Sequence, residues 1–140
     1  MERKHELLPY WISDSKERLD RDKIAELLGT AYWSSKRSRA TIEAGIDASL
    51  CFGIYDENGQ QAGFSRVITD GATFSYICDV IIDPGHRGKG LGKWLVRTML
   101  AHPDVQPTNK MLATRDAHGL YEQFGFQRAE ALRLERAATP

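Results

Sequence analysis

Three glycines, Gly88, Gly90 and Gly92, alternate with other residues in HRGKGLGKWL (86–95), and Arg87, Lys89 and Lys93 stand beside them. The run follows the strand-like stretch YICDVIID (76–83) and passes at once into helical spacing of apolar residues. A helix start leaves several backbone N–H groups without partners, and the helix dipole adds partial positive charge there. Glycine lets such backbone approach a ligand with no Cβ in the way, and the three basic side chains add full charge, so the chemistry is capture of a di- or triphosphate. The competing reading, a flexible turn with solvated bases, leaves three glycines at a helix start costing stability without a use.

Known phosphate loops narrow the choice. A Walker loop needs G-x-x-x-x-G-K-[ST]; Gly85 and Gly90 have that spacing, but Leu91 and Gly92 stand where Lys and Ser or Thr belong. The dinucleotide pattern G-x-G-x-x-G fails at Lys93, and no acidic residue ends the next strand to hold a ribose. A nucleophile elbow, G-x-S-x-G, begins at Gly63, Phe64, Ser65 and Arg66 and is broken by Val67.

The segment DVIIDPGHRGKGLGKWL (79–95) resembles the acyl-CoA-binding segment of the GNAT superfamily of N-acetyltransferases, whose motif reads Q/R-x-x-G-x-G/A and is matched by Arg87, Gly90 and Gly92. A second stretch, ATRDAHGLYEQFGF (113–126), resembles the family's later strand, helix and LYEKxGF ending. The resemblance implies that acetyl-CoA is the co-substrate, its pyrophosphate held by the loop Arg87, Gly88, Lys89, Gly90, Leu91, Gly92 and Lys93. It further implies that its pantetheine arm pairs with the backbone of Val80, Ile81 and Ile82. Tyr121 stands where the family carries a tyrosine beside the thioester sulfur. A phenol of pKa about 10 can donate to a departing thiolate of pKa about 8.5; the alternative for Tyr121 is a packing aromatic with a wet hydroxyl. Asp116 stands where many members carry Asn against the cofactor arm; an Asp brings negative charge and, by its type, is expected to cap the following helix.

An amine acceptor is protonated at neutral pH, so something must take its proton. Asp79, a carboxylate in an apolar run just ahead of the cofactor-pairing residues, is the candidate base; a carboxylate paired with a neighbouring Arg or a backbone amide is the equal alternative. For the acceptor, the family uses its first two helices and their link, here AYWSSKRSRA (31–40). Tyr32 and Trp33 can wall a pocket there, and Arg37 or Arg39 can hold a carboxylate, with Arg39 and Trp33 the expected acceptor contacts, against the alternative of a solvated basic face. Arg66, Phe74 and Tyr76, with Asp70, are candidates to line the same cleft.

These residues need elements to hold them. Residues Tyr10 to Ile12 read as a short strand, and Ile24, Leu27, Leu28 and Ala31 repeat at helical spacing after the N-cap candidate Asp20. A second short helix is expected near 39–48. Two strand-like runs flank Asp56 to Gly59, and a third follows Asp70 and Gly71, so two antiparallel hairpins are expected. The third run, YICDVIID, has no clean alternation, as for a strand covered on both faces. Leu91, Trp94, Leu95, Thr98 and Met99 mark an amphipathic helix ending near His102 and Pro103. KMLAT (110–114) reads as a buried strand, DAHGLYEQF (116–124) as a helix closed by Gly125, and strands are expected near Phe126–Arg128 and Leu132–Glu135. The expected fold is α+β, a mixed, mainly antiparallel sheet splayed at the cofactor site and flanked by helices.

The chain has 140 residues, 41% of them hydrophobic, which suits one domain over 1–140 with one sizeable core. Nineteen basic and nineteen acidic residues cancel. No global field draws the chain to nucleic acid or an anionic membrane, so neither is an expected partner. Cys51 and Cys78 lie in apolar runs without metal-ligand spacing and read as free thiols; no metal is expected. MERKHELLPYW lacks the apolar stretch of a signal peptide, and no run approaches a membrane span, which points to a cytoplasmic protein. The expected activity is direct acetyl transfer to a primary amine of a small or amino-acid-like molecule. Protein N-termini or lysines are the alternative acceptors, and a coenzyme A-binding sensor without turnover is the rival of another class. The oligomeric state stays open, a homodimer included.

Overall fold

The computed structural model describes residues 1–136. Six strands form one sheet in sequence order: β1 (Glu2–Lys4), β2 (Trp11–Ser13), β3 (Leu50–Tyr55), β4 (Gln61–Thr69), β5 (Phe74–Ile82) and β6 (Asn109–Leu112). All neighbours are antiparallel except β5 and β6, which run parallel. A parallel pair requires a crossover, supplied by helix α3 (Leu91–Ala101). Helices α1 (Arg21–Thr30) and α2 (Arg39–Asp47) link β2 to β3, and α4 (His118–Glu122) follows β6. The α+β class and the mainly antiparallel sheet are as expected.

Each sheet face has its own apolar layer. Leu91, Leu95 and Met99 of α3 pack with Phe52, Ile54 and Ile77 on one face. On the other, Ile24, Leu27 and Leu28 of α1 and Ile42 and Ile46 of α2 pack with Cys51, Phe64 and Ile81. Leu95 is fully buried, so its truncation to Ala costs about 2–5 kcal/mol. Asp20 caps α1 by accepting from the Lys23 N–H at 3.0 Å, and Ser38 caps α2 by accepting from Thr41 N–H at 3.1 Å.

The irregular pattern of β5 has a local cause. Asp79 pairs with Arg66 and Ile77 with Val67, which leaves Cys78 as a bulge residue with no partner on β4. The bulge reverses the alternation: Ile77 joins the α3 layer, whereas Ile81 joins the α1–α2 layer. A second irregularity matters more for function. β6 pairs with β5 only from Phe74 to Ile77, so among the described residues Cys78–Ile82 has no strand on that side. The expected splay is this gap.

Three expectations need correction. Asp116 does not cap α4: the helix starts at His118, and Thr114 Oγ1 accepts the Ala117 N–H at 3.0 Å instead. Residues 126–136 form no strand; Leu132 is 104% and Leu134 98% exposed, and β6 pairs only with β5. Strand β1, wholly exposed and made of Glu, Arg and Lys, was not expected, because its residues carry no apolar alternation; such charged residues suit a sheet edge. No helix among the described residues is long and apolar enough to cross a membrane.

Candidate functional site

The glycine turn sits at the mouth of the gap. Gly88 has φ +81° and Gly90, the N-cap of α3, has φ +77°, a left-handed conformation that glycine adopts without a Cβ clash. The first helical hydrogen bond at this end runs from Trp94 N–H to Gly90 O at 3.1 Å, so the amides of Leu91, Gly92 and Lys93 precede the ladder. The basic residues around them differ in surroundings. Arg87 Nε donates to Ile82 O at 3.1 Å, and Lys89 Nζ donates to Tyr10 Oη at 3.0 Å. Tyr10 Oη also lies 2.7 Å from His86 Nδ1, so a buried tyrosine beside β2 anchors the loop from below. Lys93 is exposed. Asp83, at the end of β5, accepts the Gly85 N–H at 2.7 Å and pairs with Lys23 of α1.

From this turn a cleft of about 1000 Å³ follows the open edge of β5. Val80, Ile81, Ile82, Arg87 and Gly92 line it on the loop side, and Asp116 and Tyr121 on the α4 side. Tyr121 is buried against Phe126, the ring centres 5.8 Å apart, and burial pushes its phenol up to about 12. The hydroxyl therefore keeps its proton at neutral pH. The turn that ends α4 uses Gly125 at φ +92°, with the Phe126 N–H returning to Tyr121 O at 3.3 Å.

Asp79 lies on the other face of β5 and has no exposed surface. Its Oδ1 accepts from Trp33 Nε1 at 2.8 Å and Arg37 Nη1 at 3.1 Å; its Oδ2 accepts from Arg37 Nη1 and Arg66 Nε, both at 3.0 Å. Four donor contacts engage both oxygens of a carboxylate that has room for about four. A carboxylate so engaged is poorly placed to receive a substrate proton, and the paired alternative raised by the sequence describes its surroundings. Arg66 also donates from Nη1 to Ser49 Oγ at 3.1 Å.

The acceptor candidates separate. Trp33, Arg37, Arg66 and Tyr76 line the cleft, with Tyr32 beside Trp33. Arg39 does not: its side chain is half exposed and bonds Asp22 and Glu43 at 3.0 and 3.2 Å on the outer side of α1 and α2. Phe74 is exposed at the start of β5, outside the cleft. Two residues that sequence reasoning missed belong to the site. Tyr10 supports the loop from 76 positions away, and Arg115 lies over the Tyr32 ring at 3.7 Å. Neither carries a local pattern that could have revealed it. Cys78, on the bulge, also lines the cleft, and burial pushes its thiol up, away from reactivity.

Comparison with known proteins gives a consistent result. The acetyltransferase (GNAT) domain family matches residues 47–128. A Gibberella zeae protein named "Putative acetyltransferase FG08082" is 30% identical over 109 residues, 64% of this chain; the chain spans about 62% of that relative's length. A Xanthomonas campestris pv. campestris structure, described as a "putative acetyltransferase belonging to the gnat family", is 39% identical with a TM-score of 0.82, covering 92% of this chain and 93% of that one. Arabidopsis thaliana glucosamine-6-phosphate N-acetyltransferase shares the fold at 20% identity, TM-score 0.68, over 91% of this chain and 97% of its own.

Proposed function

The chain belongs to the acetyltransferase (GNAT) family, and from that premise we propose that it transfers an acetyl group from acetyl-CoA to a primary amine on a small, amino-acid-like acceptor. One observation carries the reading: the strand gap beside β5 opens onto a helix start whose amides are bare and whose glycines hold left-handed backbone. Those features fit a long, flexible thioester with a pyrophosphate at one end. The pyrophosphate lies against the amides of Gly88 to Lys93, with Arg87, Lys89 and Lys93 adding charge. The pantetheine arm takes the place of a further strand along Val80, Ile81 and Ile82, which β6 does not reach. Asp116 faces the arm from the opposite wall.

In the reaction, the carbon–nitrogen bond forms as the carbon–sulfur bond breaks. The acceptor ammonium first gives one proton to water in the open cleft. The second nitrogen proton also passes to water as Tyr121 delivers its own proton to the departing sulfur, and the phenolate then takes a proton back from water, so its phenol is restored. A backbone N–H of β5 polarises the thioester carbonyl. Asp79 acts here by position, fixing Trp33 and Arg37 of the α1–α2 link and Arg66 of β4 around the acceptor. The test is release of free thiol from acetyl-CoA with a panel of amines, alongside calorimetric binding of coenzyme A. Tight binding with no thiol released by any amine replaces this reading with a non-catalytic coenzyme A module.

A further inference from the structure

Arg37 and Arg66 line both the large cleft and a second, open cavity of about 310 Å³ bordered by α1, α2 and the sheet, and so form a partition between them. Their side chains are 24% and 14% exposed, and the one carboxylate they share is sealed from solvent. The three groups carry two positive charges and one negative, so the partition keeps one uncompensated positive charge in a half-buried place. Unpaired charge of that kind is costly unless something binds it.

The donors left over show where that partner sits. Arg37 spends only Nη1 on Asp79, and among the described residues no protein acceptor meets its Nε or Nη2. Arg66 spends Nε on Asp79 and Nη1 on Ser49, with Nη2 remaining. A guanidinium presents its N–H groups as a rigid fork matched to two oxygens. The other arginines of the cleft are differently employed: Arg87 bonds Ile82 O, Arg115 stacks on Tyr32, and Arg133 pairs with Glu135.

We propose that the acceptor is an amine bearing a carboxylate, and that the free faces of Arg37 and Arg66 bind that carboxylate. The inference rests on the acetyl-transfer reading and narrows its acceptor. Charge decides for a carboxylate over a phosphate ester: one excess positive charge is met by a monoanion, whereas a dianion leaves net negative charge beside buried Asp79. Asp79 thus has two effects. It aims both guanidinium groups, and it limits the charge they accept.

The test compares L-amino acids with their C-terminal amides, and with phosphoethanolamine as a dianionic probe, in the thiol-release assay. The carboxylates are expected to exceed the matching amides at least tenfold in kcat/KM. In Arg37→Met that ratio is expected to fall close to one through a raised acceptor KM, while in Arg37→Lys, which keeps charge without the fork, it falls part of the way. A thermal melt of each variant checks folding. Calorimetry of N-acetyl-L-phenylalanine against its amide, with coenzyme A present, gives a readout free of turnover: the acid is expected to bind at least tenfold tighter to the wild type. Absence of coenzyme A binding removes the acetyl-transfer reading itself. Coenzyme A binding, with amides or phosphoethanolamine equal to or better than carboxylates in turnover, or with acid and amide products bound alike, overturns this inference alone.

Discussion

Arg37 Nη1 stands 3.1 and 3.0 Å from the two oxygens of Asp79, so the link between α1 and α2 is locked to the middle of the sheet through a carboxylate with no exposed surface. Trp33 and Arg66 complete the lock. Substituting Asp79 by Asn keeps the shape and removes the charge, leaving two guanidinium groups facing each other without a counter-ion. The expected cost is about 3–5 kcal/mol in stability, read by denaturant unfolding. Acceptor KM should rise, acetyl-CoA KM should hold, and the acidic limb of the pH–rate profile should stay where it is in the wild type. A stable variant that lost that limb would restore Asp79 as the general base.

The loop makes a second prediction that separates backbone strain from ligand binding. Gly90 and Gly59 have nearly equal φ, +77° and +79°, and at neither would a Cβ meet another atom within 4 Å. Replacing either with Val imposes the same left-handed strain, and the two variants should be destabilised alike. Only Gly90→Val should weaken coenzyme A binding, by at least tenfold or about 1.4 kcal/mol, because only there does the backbone meet the phosphates. Equal affinity in both variants, measured by calorimetry, would remove the pyrophosphate assignment.

What the sequence made legible was local. The cap Asp20, the turns at Gly59 and Gly71, and the glycine start of α3 are each decided within a few residues, and each stands as composition implies. One local signal misled: Asp116 is a capping residue by type, yet α4 starts at His118 with Ala117 before it and no side-chain cap. The site's inner wall depended on distant partners. Trp33 meets Asp79 across 46 positions, and nothing in SSKRSR tells which arginine turns inward, since a polar link has no apolar phase. Arg37 turns in and Arg39 turns out. The bulge at Cys78 was hidden for a related reason: a strand covered on both faces lacks the alternation that a slipped residue would interrupt.

Arg39 gives the matching negative control. Its guanidinium bonds Asp22 and Glu43 at the surface, and those partners hold its proton more firmly than usual, the Asp22 hydrogen bond foremost. Arg39→Ala should leave acceptor KM within about twofold of the wild type, as expected for exposed pairs outside the cleft. A tenfold rise would bring α2's first turn back into the acceptor site.

Tyr121 is predicted to act as a phenol throughout the working range. Tyr121→Phe should lower kcat by about ten- to a thousandfold while acetyl-CoA affinity stays close to the wild type, because the hydroxyl acts mainly on the departing sulfur. Burial raises its pKa to about 12, so the neutral donor persists well above pH 9. The wild-type rate should therefore show no loss traceable to this hydroxyl between pH 7 and about 10. A Phe variant at full rate, with chemistry shown to be rate-limiting, returns Tyr121 to packing.

The last prediction concerns the pair that ties α1 to the loop. Asp83 is held below the usual carboxylate range, first by the Lys23 ammonium and then by the Gly85 N–H, and Lys23 is raised in turn, first by its hydrogen bond to Asp83. A depressed acid stabilises the fold at pH values above its unfolded pKa and loses that contribution as pH falls through the folded value. A raised base does the reverse, contributing fully below its unfolded value and losing the contribution as pH rises through the folded one. The pair is therefore intact from about pH 5 to about pH 9. The side chains are 19% and 24% exposed, so the pair is worth no more than about 1 kcal/mol. The stability difference between wild type and Asp83→Asn should be flat across that window and shrink below about pH 4, where the wild-type carboxylate takes up its proton. Lys23→Met should remove most of the same difference, and the double variant should add little, since both changes break one contact. Coenzyme A affinity should fall a few-fold in Asp83→Asn at neutral pH, because the Gly85 N–H exchanges a carboxylate for a weaker amide acceptor and the turn ahead of the phosphate loop loses its tie to Lys23. A difference that persists unchanged at pH 3.5 would show that the ion pair contributes nothing and that Asp83 serves only as a hydrogen-bonding cap for the turn.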